Sequence, residues 1–293
     1  MTMIKWGCAP IAWTNDDMPE LGKQNTFEQC ISEMALAGFD GTEIGNKYPK
    51  NTKELSEYLE IRELEVASAW FSSFITTQNF EDVKNEFVQH RDFLYEMGAR
   101  VIVVSEQGHS IQKETNTPVF QKKPELDLAD WKVLMTGLEA LGALANEKNM
   151  KLVYHHHMGT VIQTTAEINR LMEDTDPEKV SLLYDTGHLV CSGEDPLAIL
   201  KKHFTRIEHI HFKDIRDEEK RKAFDNDYSF LKAVREGLFT VPGDGDINFQ
   251  PIMNYINEQH YKGWIVIEAE QDPAIYNPFK YAKKAKTYID SLT

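Results

Sequence analysis

Four short polar runs each close an apolar, β-rich stretch: YHHH at Tyr154–His157, YDTGH at Tyr184–His188, HIHFKD at His209–Asp214 and VIEAE at Val266–Glu270. Imidazole nitrogens and carboxylate oxygens arriving from successive strand ends are the donors that hold a divalent cation. Side chains two apart on a strand share a face. The spacing therefore separates His155 and His157 from His156, pairs His209 with His211, and pairs Glu268 with Glu270. One donor from each run gives His155, Asp185, His211 and Glu268, two imidazoles and two carboxylates for one divalent ion. His157 takes a second place on the His155 face, beside a substrate, and the reverse assignment of the two stays open. His188, past Gly187 in a turn, is a substrate contact or an acid. Asp185 has a competing reading as the N-cap of a following helix. His211 is chosen over His209, which is expected to pack between strand and helix. An acidic Glu268 directly after Trp264–Ile267 is costly to bury unpaired, so it needs the partners the other runs supply.

Donors at strand ends require strands that all finish on one side. Eight candidates recur along the chain: Ile4–Ala9, Gly41–Ile44, Glu65–Ala69, Arg100–Val104, Lys151–Tyr154, Val180–Tyr184, Ile207–Phe212 and Trp264–Ile267. Several are rich in Val and Ile, as parallel strands buried on both faces are. Amphipathic helical patterns alternate with them. Thr26–Ala37 opens with Thr26 and Gln29 in capping-box spacing and stops before Gly38. Phe80–Met97, Leu128–Asn149, Thr164–Glu173, Pro196–His203, Phe249–Gln259 and Tyr276–Ile289 follow. This repetition predicts an α/β chain folded as a single (β/α)8 TIM barrel, residues 1–293, with its chemistry at the C-terminal ends of the strands. A doubly wound open sheet would carry a Gly-rich phosphate loop after the first strand; Gly7-Cys8-Ala9-Pro10 stands there instead. Two long loops, about 105–127 and 214–248, fall on the catalytic face and are expected to act as lids.

Bulk properties narrow the function. The 293 residues are 41% hydrophobic and 27% charged, an ordinary globular composition. A net charge of −15 argues against nucleic acid and against anionic membrane surfaces, and suits a neutral substrate such as a polyol. Cys8, Cys30 and Cys191 are odd in number and widely spaced, which reads as reduced thiols in a cytoplasmic protein. The N-terminal run contains Lys5 and Pro10 and does not read as a signal peptide. No stretch reaches the ~18 uninterrupted apolar residues of a membrane helix. A homo-oligomer is compatible with this composition.

The four runs resemble the xylose isomerase-like barrel superfamily of sugar isomerases, epimerases and apurinic endonucleases. The resemblance sharpens to the inosose dehydratases of myo-inositol catabolism. It is carried by Ala9–Asp17, GTEIGNKYP at Gly41–Pro49, VYHHHMGT at Val153–Thr160, YDTGH, HFKDIR at His211–Arg216, Ser229–Ile247 and GWIVIEAEQDP at Gly263–Pro273. It implies a hydro-lyase that removes water from 2-keto-myo-inositol (scyllo-inosose) to give a trihydroxycyclohexane-dione, with dependence on Mn2+ or Co2+ and with glutathione as a cofactor. In the wider superfamily the fifth strand ends in a Glu; here His155 stands in its place. Loss of that carboxylate weakens an isomerase or epimerase reading and fits an elimination, which needs one base and one acid. The base is Glu268, Glu270 or His157, and the acid His188 or Lys213. Glu43, Asn46 and Lys47 are expected to hold substrate hydroxyls, with Trp13 and Trp70 as pocket walls. A sugar isomerase or epimerase on the same metal barrel is the nearest alternative. A non-catalytic sugar-binding barrel is the alternative from another class.

Overall fold

The computed structural model describes residues 4–292; Met1–Met3 and Thr293, included in the expected domain, lie outside the described residues. Ten strands form. They are β1 Lys5–Cys8, β2 Gly41–Ile44, β3 Glu65–Ser73, β4 Val101–Glu106, β5 Lys151–His155, β6 Val180–Asp185, β7 Ile207–Phe212, β8 Asp214–Ile215, β9 Phe239–Thr240 and β10 Trp264–Ile267. Eight of them pair in parallel in the closed order β1-β10-β7-β6-β5-β4-β3-β2, while β8 and β9 make a separate antiparallel pair. Closure leaves the barrel itself without a sheet edge. The eight barrel strands are those expected from the sequence, so the (β/α)8 reading holds.

The described residues hold eleven α-helices, in chain order. These are α1 Phe27–Ala37, α2 Thr52–Glu60, α3 Phe80–Glu96, α4 Leu128–Asn146, α5 Thr165–Asp174, α6 Thr186–Cys191, α7 Pro196–His203, α8 Asp217–Asp225, α9 Phe230–Arg235, α10 Gln250–Glu258 and α11 Pro278–Asp290. Local chemistry starts them where it should. Thr164 and Glu167 close a reciprocal capping box on α5, and Asp127 accepts from Ala129 and Asp130 at α4. Thr26 caps α1 through the amide of Gln29, but the Gln29 side chain turns to Glu33 instead of reciprocating.

The main core lies between barrel and helices, with Ile102, Leu152, Leu182, Tyr184 and Ile210 facing Leu138, Leu171 and Ile199. Inside the barrel the filling is smaller. Val103, Val153 and Leu183 form one buried group, and Ala67 and Val266 belong to another. Above these apolar layers the interior turns polar, and the donor side chains begin. Two β-bulges sit at this boundary. Ala67 is skipped where β3 pairs with Thr42 and Glu43, and Glu208 is skipped where β7 pairs with Leu182 and Leu183. Bulges re-aim the side chains that follow them.

Several expectations need correction. The stretch 214–248 is no loop: it holds β8, α8, α9 and β9. Asp214 organises it, accepting from the amides of Ile215, Gly243, Gly245 and Ile247. The other expected loop begins two residues late, because β4 runs on to Glu106. The Glu106 carboxylate is fully buried. It accepts from Ser73 Oγ at 2.7 Å, Ile75 N at 3.0 Å, Thr76 Oγ1 at 2.8 Å and Gly108 N at 3.1 Å. His188 lies on helix α6 and not in a turn.

Candidate metal centre and active site

β5, β6, β7 and β10 are consecutive neighbours in the barrel, and parallel register brings their C-terminal ends level. Asp185 pairs with His211, and Val266 pairs with His211 from the other side. One donor atom from each of His155, Asp185, His211 and Glu268 lies within 4.8 Å of all the others. His155 Nε2 is 3.3 Å from Asp185 Oδ2, and His211 Nδ1 is 2.7 Å from Glu268 Oε2 and 3.6 Å from Asp185 Oδ2. Nitrogen and oxygen donors without thiolate, facing one point, fit a divalent first-row cation. The residues that would hold it are therefore these four.

Asp185 serves two structures at once. Its Oδ1 accepts from the amide of His188, capping α6, while Oδ2 faces the donor group. The two readings of this residue are thus not alternatives. His156, on the opposite face, accepts the Asp185 amide on Nε2 at 3.3 Å. Burial pushes its imidazole down to about 3, so it stays neutral in that acceptor role.

Beside the quartet stands a second group: His157, His188 and Glu270, with Lys213 among them. Lys213 is fully buried. Its Nζ lies 2.7 Å from Glu270, 2.8 Å from His188 Nε2 and 3.2 Å from Glu268. Burial opposes its charge, but Glu268, Glu270 and Asp185 hold the ammonium well above the usual lysine range. An ammonium only donates, so His188 accepts on Nε2 and carries its proton on Nδ1. That Nδ1 is buried without a partner. His157 Nδ1 lies 2.8 Å from the Met158 carbonyl and donates to it, leaving a lone pair on Nε2, 3.9 Å from Glu270. Burial, then the charges of His155 and Lys213, keep the His157 imidazole well below its ordinary range. Glu270 moves the other way: burial pushes its carboxyl up to about 7 against the pull of Lys213. Asp185 and Glu268 stay charged, because Lys213 and neighbouring imidazoles outweigh their burial.

The remaining sequence candidates separate. Glu43 joins the site, its Oε1 accepting from His209 Nε2 at 2.9 Å and His211 Nε2 at 3.0 Å. His209 is therefore inside the barrel, not between strand and helix; its two-residue spacing from His211 already carried that signal. Trp70 walls the site, its ring edge-on to His155 and His157 at 5.3 and 5.9 Å. Trp13 does not: it is fully buried and its indole N–H donates to Glu33 at 2.6 Å. Lys47 also turns away. Its ammonium donates to the carbonyls of Gly22, Lys23 and Asn25, which uses all three of its hydrogens. Asn46 is exposed, with its amide toward Asp16. One residue that sequence reasoning missed is Gln112, whose Nε2 lies 2.8 and 3.1 Å from the two nitrogens of His157. Near-equal distances place it over the ring rather than on one lone pair. It comes from the stretch after β4, where no local pattern marks it.

Barrel and site together define the class: the family model for the xylose isomerase-like TIM barrel matches residues 31–292. Among solved structures, a probable 3-DHS dehydratase from Bacillus anthracis superposes with a TM-score of 0.75 at 15% identity, covering 98% of this chain and 99% of that one. A D-allulose 3-epimerase from Methylomonas sp. gives 0.71 at 15% identity, covering 100% and 98%. At such identity these establish the fold alone. Curated relatives are much nearer. The inosose dehydratase of Clostridium tetani is 61% identical over 98% of this chain and 96% of its own length. Those of Bacillus cereus and Geobacillus thermodenitrificans are each 62% identical over the same shares. The chain belongs to the inosose dehydratase family, as the sequence motifs implied.

Proposed function

We propose that the protein is a hydro-lyase that removes water from 2-keto-myo-inositol. The observation that carries this reading is the contact between the two halves of the site. Lys213 lies 3.2 Å from Glu268 in the quartet and 2.7 Å from Glu270 in the acid–base group. Mn2+ or Co2+ is the occupant we assign to the quartet, consistent with its hard and borderline donors. Bound there, the cation supplies Lewis-acid polarisation of the substrate ketone.

The chain's own groups then divide the proton work. His157 Nε2, neutral and carrying a lone pair, takes the proton from the carbon beside the ketone. The Lys213–Glu270 pair delivers a proton to the departing hydroxyl, which leaves as water. Glu270, pushed up to about 7, is the member that holds a transferable proton near neutrality. The base and Glu270 lie 3.9 Å apart, close enough for the proton gained by one to restore the other through the released water. Lys213 holds Glu270 in place and offsets the negative charge developing on the substrate. Trp70 forms the apolar wall, and Gln112 restrains the His157 ring.

This reading includes a cytoplasmic setting, in keeping with three buried cysteines that are free thiols. No helix among the described residues is long and apolar enough to cross a membrane. The test is turnover of scyllo-inosose by metal-stripped protein, with and without Mn2+ and with and without glutathione, following product mass. Metal-dependent loss of one water is expected. An isomer of unchanged mass would move the chemistry to an epimerase, and no turnover would reject the reading.

A further inference from the structure

Glu43 arrives from β2, across the barrel from the quartet, and contributes no atom to it. Its side chain is nonetheless turned fully into the interior, where one oxygen, Oε1, takes both imidazoles of β7. The two bulges described above lie beside this contact. Ala67 is the extra residue opposite the Thr42–Glu43 step, and Glu208 directly precedes His209. Bulges are built where a strand must re-aim a side chain. Two of them converge on one carboxylate–imidazole contact.

The tautomers follow from the acceptor. A carboxylate offers only lone pairs, so His209 and His211 must both carry hydrogen on Nε2. By the same argument Nδ1 donates here to Glu268, 2.7 Å away; with Nε2–H committed to Glu43, Nδ1 is the nitrogen left to exchange its hydrogen for a cation. We infer that Glu43 is a positioning residue that fixes the ring and tautomer of His211 so that Nδ1 is presented to the cation, with His209 anchoring Glu43 from the layer below. This replaces the expected contact of Glu43 with substrate hydroxyls, and it rests on the quartet being the metal site.

The test is metal affinity, read without turnover. Free Mn2+ is followed by its paramagnetic resonance signal during titration of stripped wild type, Glu43→Gln, Glu43→Asp and His209→Phe, with thermal unfolding of each stripped protein alongside. Loss of an outer carboxylate on a ligating imidazole weakens metal binding roughly 10–100-fold. That loss is expected for Glu43→Gln, with partial recovery in Glu43→Asp and a smaller loss in His209→Phe. At saturating Mn2+, KM for the inosose should stay near wild type in Glu43→Gln. Unchanged Mn2+ affinity with a raised KM would overturn the inference in favour of a substrate contact. Unchanged affinity with only a lowered unfolding temperature would overturn it in favour of a purely structural role. Failure of wild type itself to bind Mn2+ would instead sink the reading of the quartet.

Discussion

Gly187 offers the sharpest perturbation of the acid–base group, because it acts without removing a functional atom. A Cβ added there would meet Lys213 Cγ at 2.6 Å, Cβ at 2.8 Å and Cδ at 2.9 Å. Carbon atoms pack comfortably at about 3.5–4.0 Å, so the lysine stem must retreat by about 1 Å. It cannot swing into solvent, since Lys213 is fully buried. Its ammonium now sits 2.7 Å from Glu270 and 2.8 Å from His188; a retreat of that size carries both contacts past hydrogen-bond range. Misplacement of a catalytic group by about 1 Å costs roughly 100-fold in rate, or about 2.7 kcal/mol in barrier. Overpacking should also lower stability by about 1–3 kcal/mol. Gly187→Ala is therefore expected to cut kcat roughly 100-fold at saturating Mn2+ while the protein stays folded at the assay temperature. Lys213→Met should lose at least as much, and the double variant should be no worse than Lys213→Met alone, because the two act through one group. Wild-type kcat in a folded Gly187→Ala protein would refute the assignment. So would additive losses in the double variant.

Other substitutions separate roles that the structure joins. Asp185→Asn keeps an N-cap acceptor for the His188 amide but gives up the charged ligand, so it should abolish Mn2+ binding with little change in unfolding temperature. Asp185→Ala should abolish binding and also lose about 1 kcal/mol of helix capping; calorimetric titration and thermal melts of the pair distinguish these. Asp214→Ala strands four amides and should cost about 1–3 kcal/mol, seen as faster hydrogen exchange at Gly243, Gly245 and Ile247. Lys47→Met should lower stability by about 1 kcal/mol and leave KM for the inosose unchanged; a raised KM would restore its place in the pocket.

The donor clusters were legible because in a barrel the polar residue that ends an apolar run is at the mouth almost by construction. Period-two alternation then put Glu268 and Glu270 on one face, and so the two halves of the site side by side. The same rule also put His209 on the face of His211, inside the barrel, and the expectation that it packs between strand and helix went against it. Other misses came from contacts no local window contains. Lys47 is taken up by carbonyls more than twenty residues away, and Trp13 by Glu33 on α1. Helix α2 left a readable trace that went unused, Asn51 accepting from the amide of Glu54 at its start. The excursion between β7 and β10 hides its fold behind Phe230, Val234 and Phe239, which share a buried cluster with Met18, Val119, Met158 and Cys191 from distant parts of the chain.

That last packing has a mechanical consequence. The stretch carrying Gln112 is pinned at its root by Glu106 and joined further on to the β7–β10 excursion, where the Val119 amide donates to the Tyr228 carbonyl and Phe120 meets Phe224 at 5.9 Å. Two segments rising from separate strands of the rim thus meet in one arch. A fluorescent label at Phe224, half out in solvent, is therefore expected to report any movement of either segment.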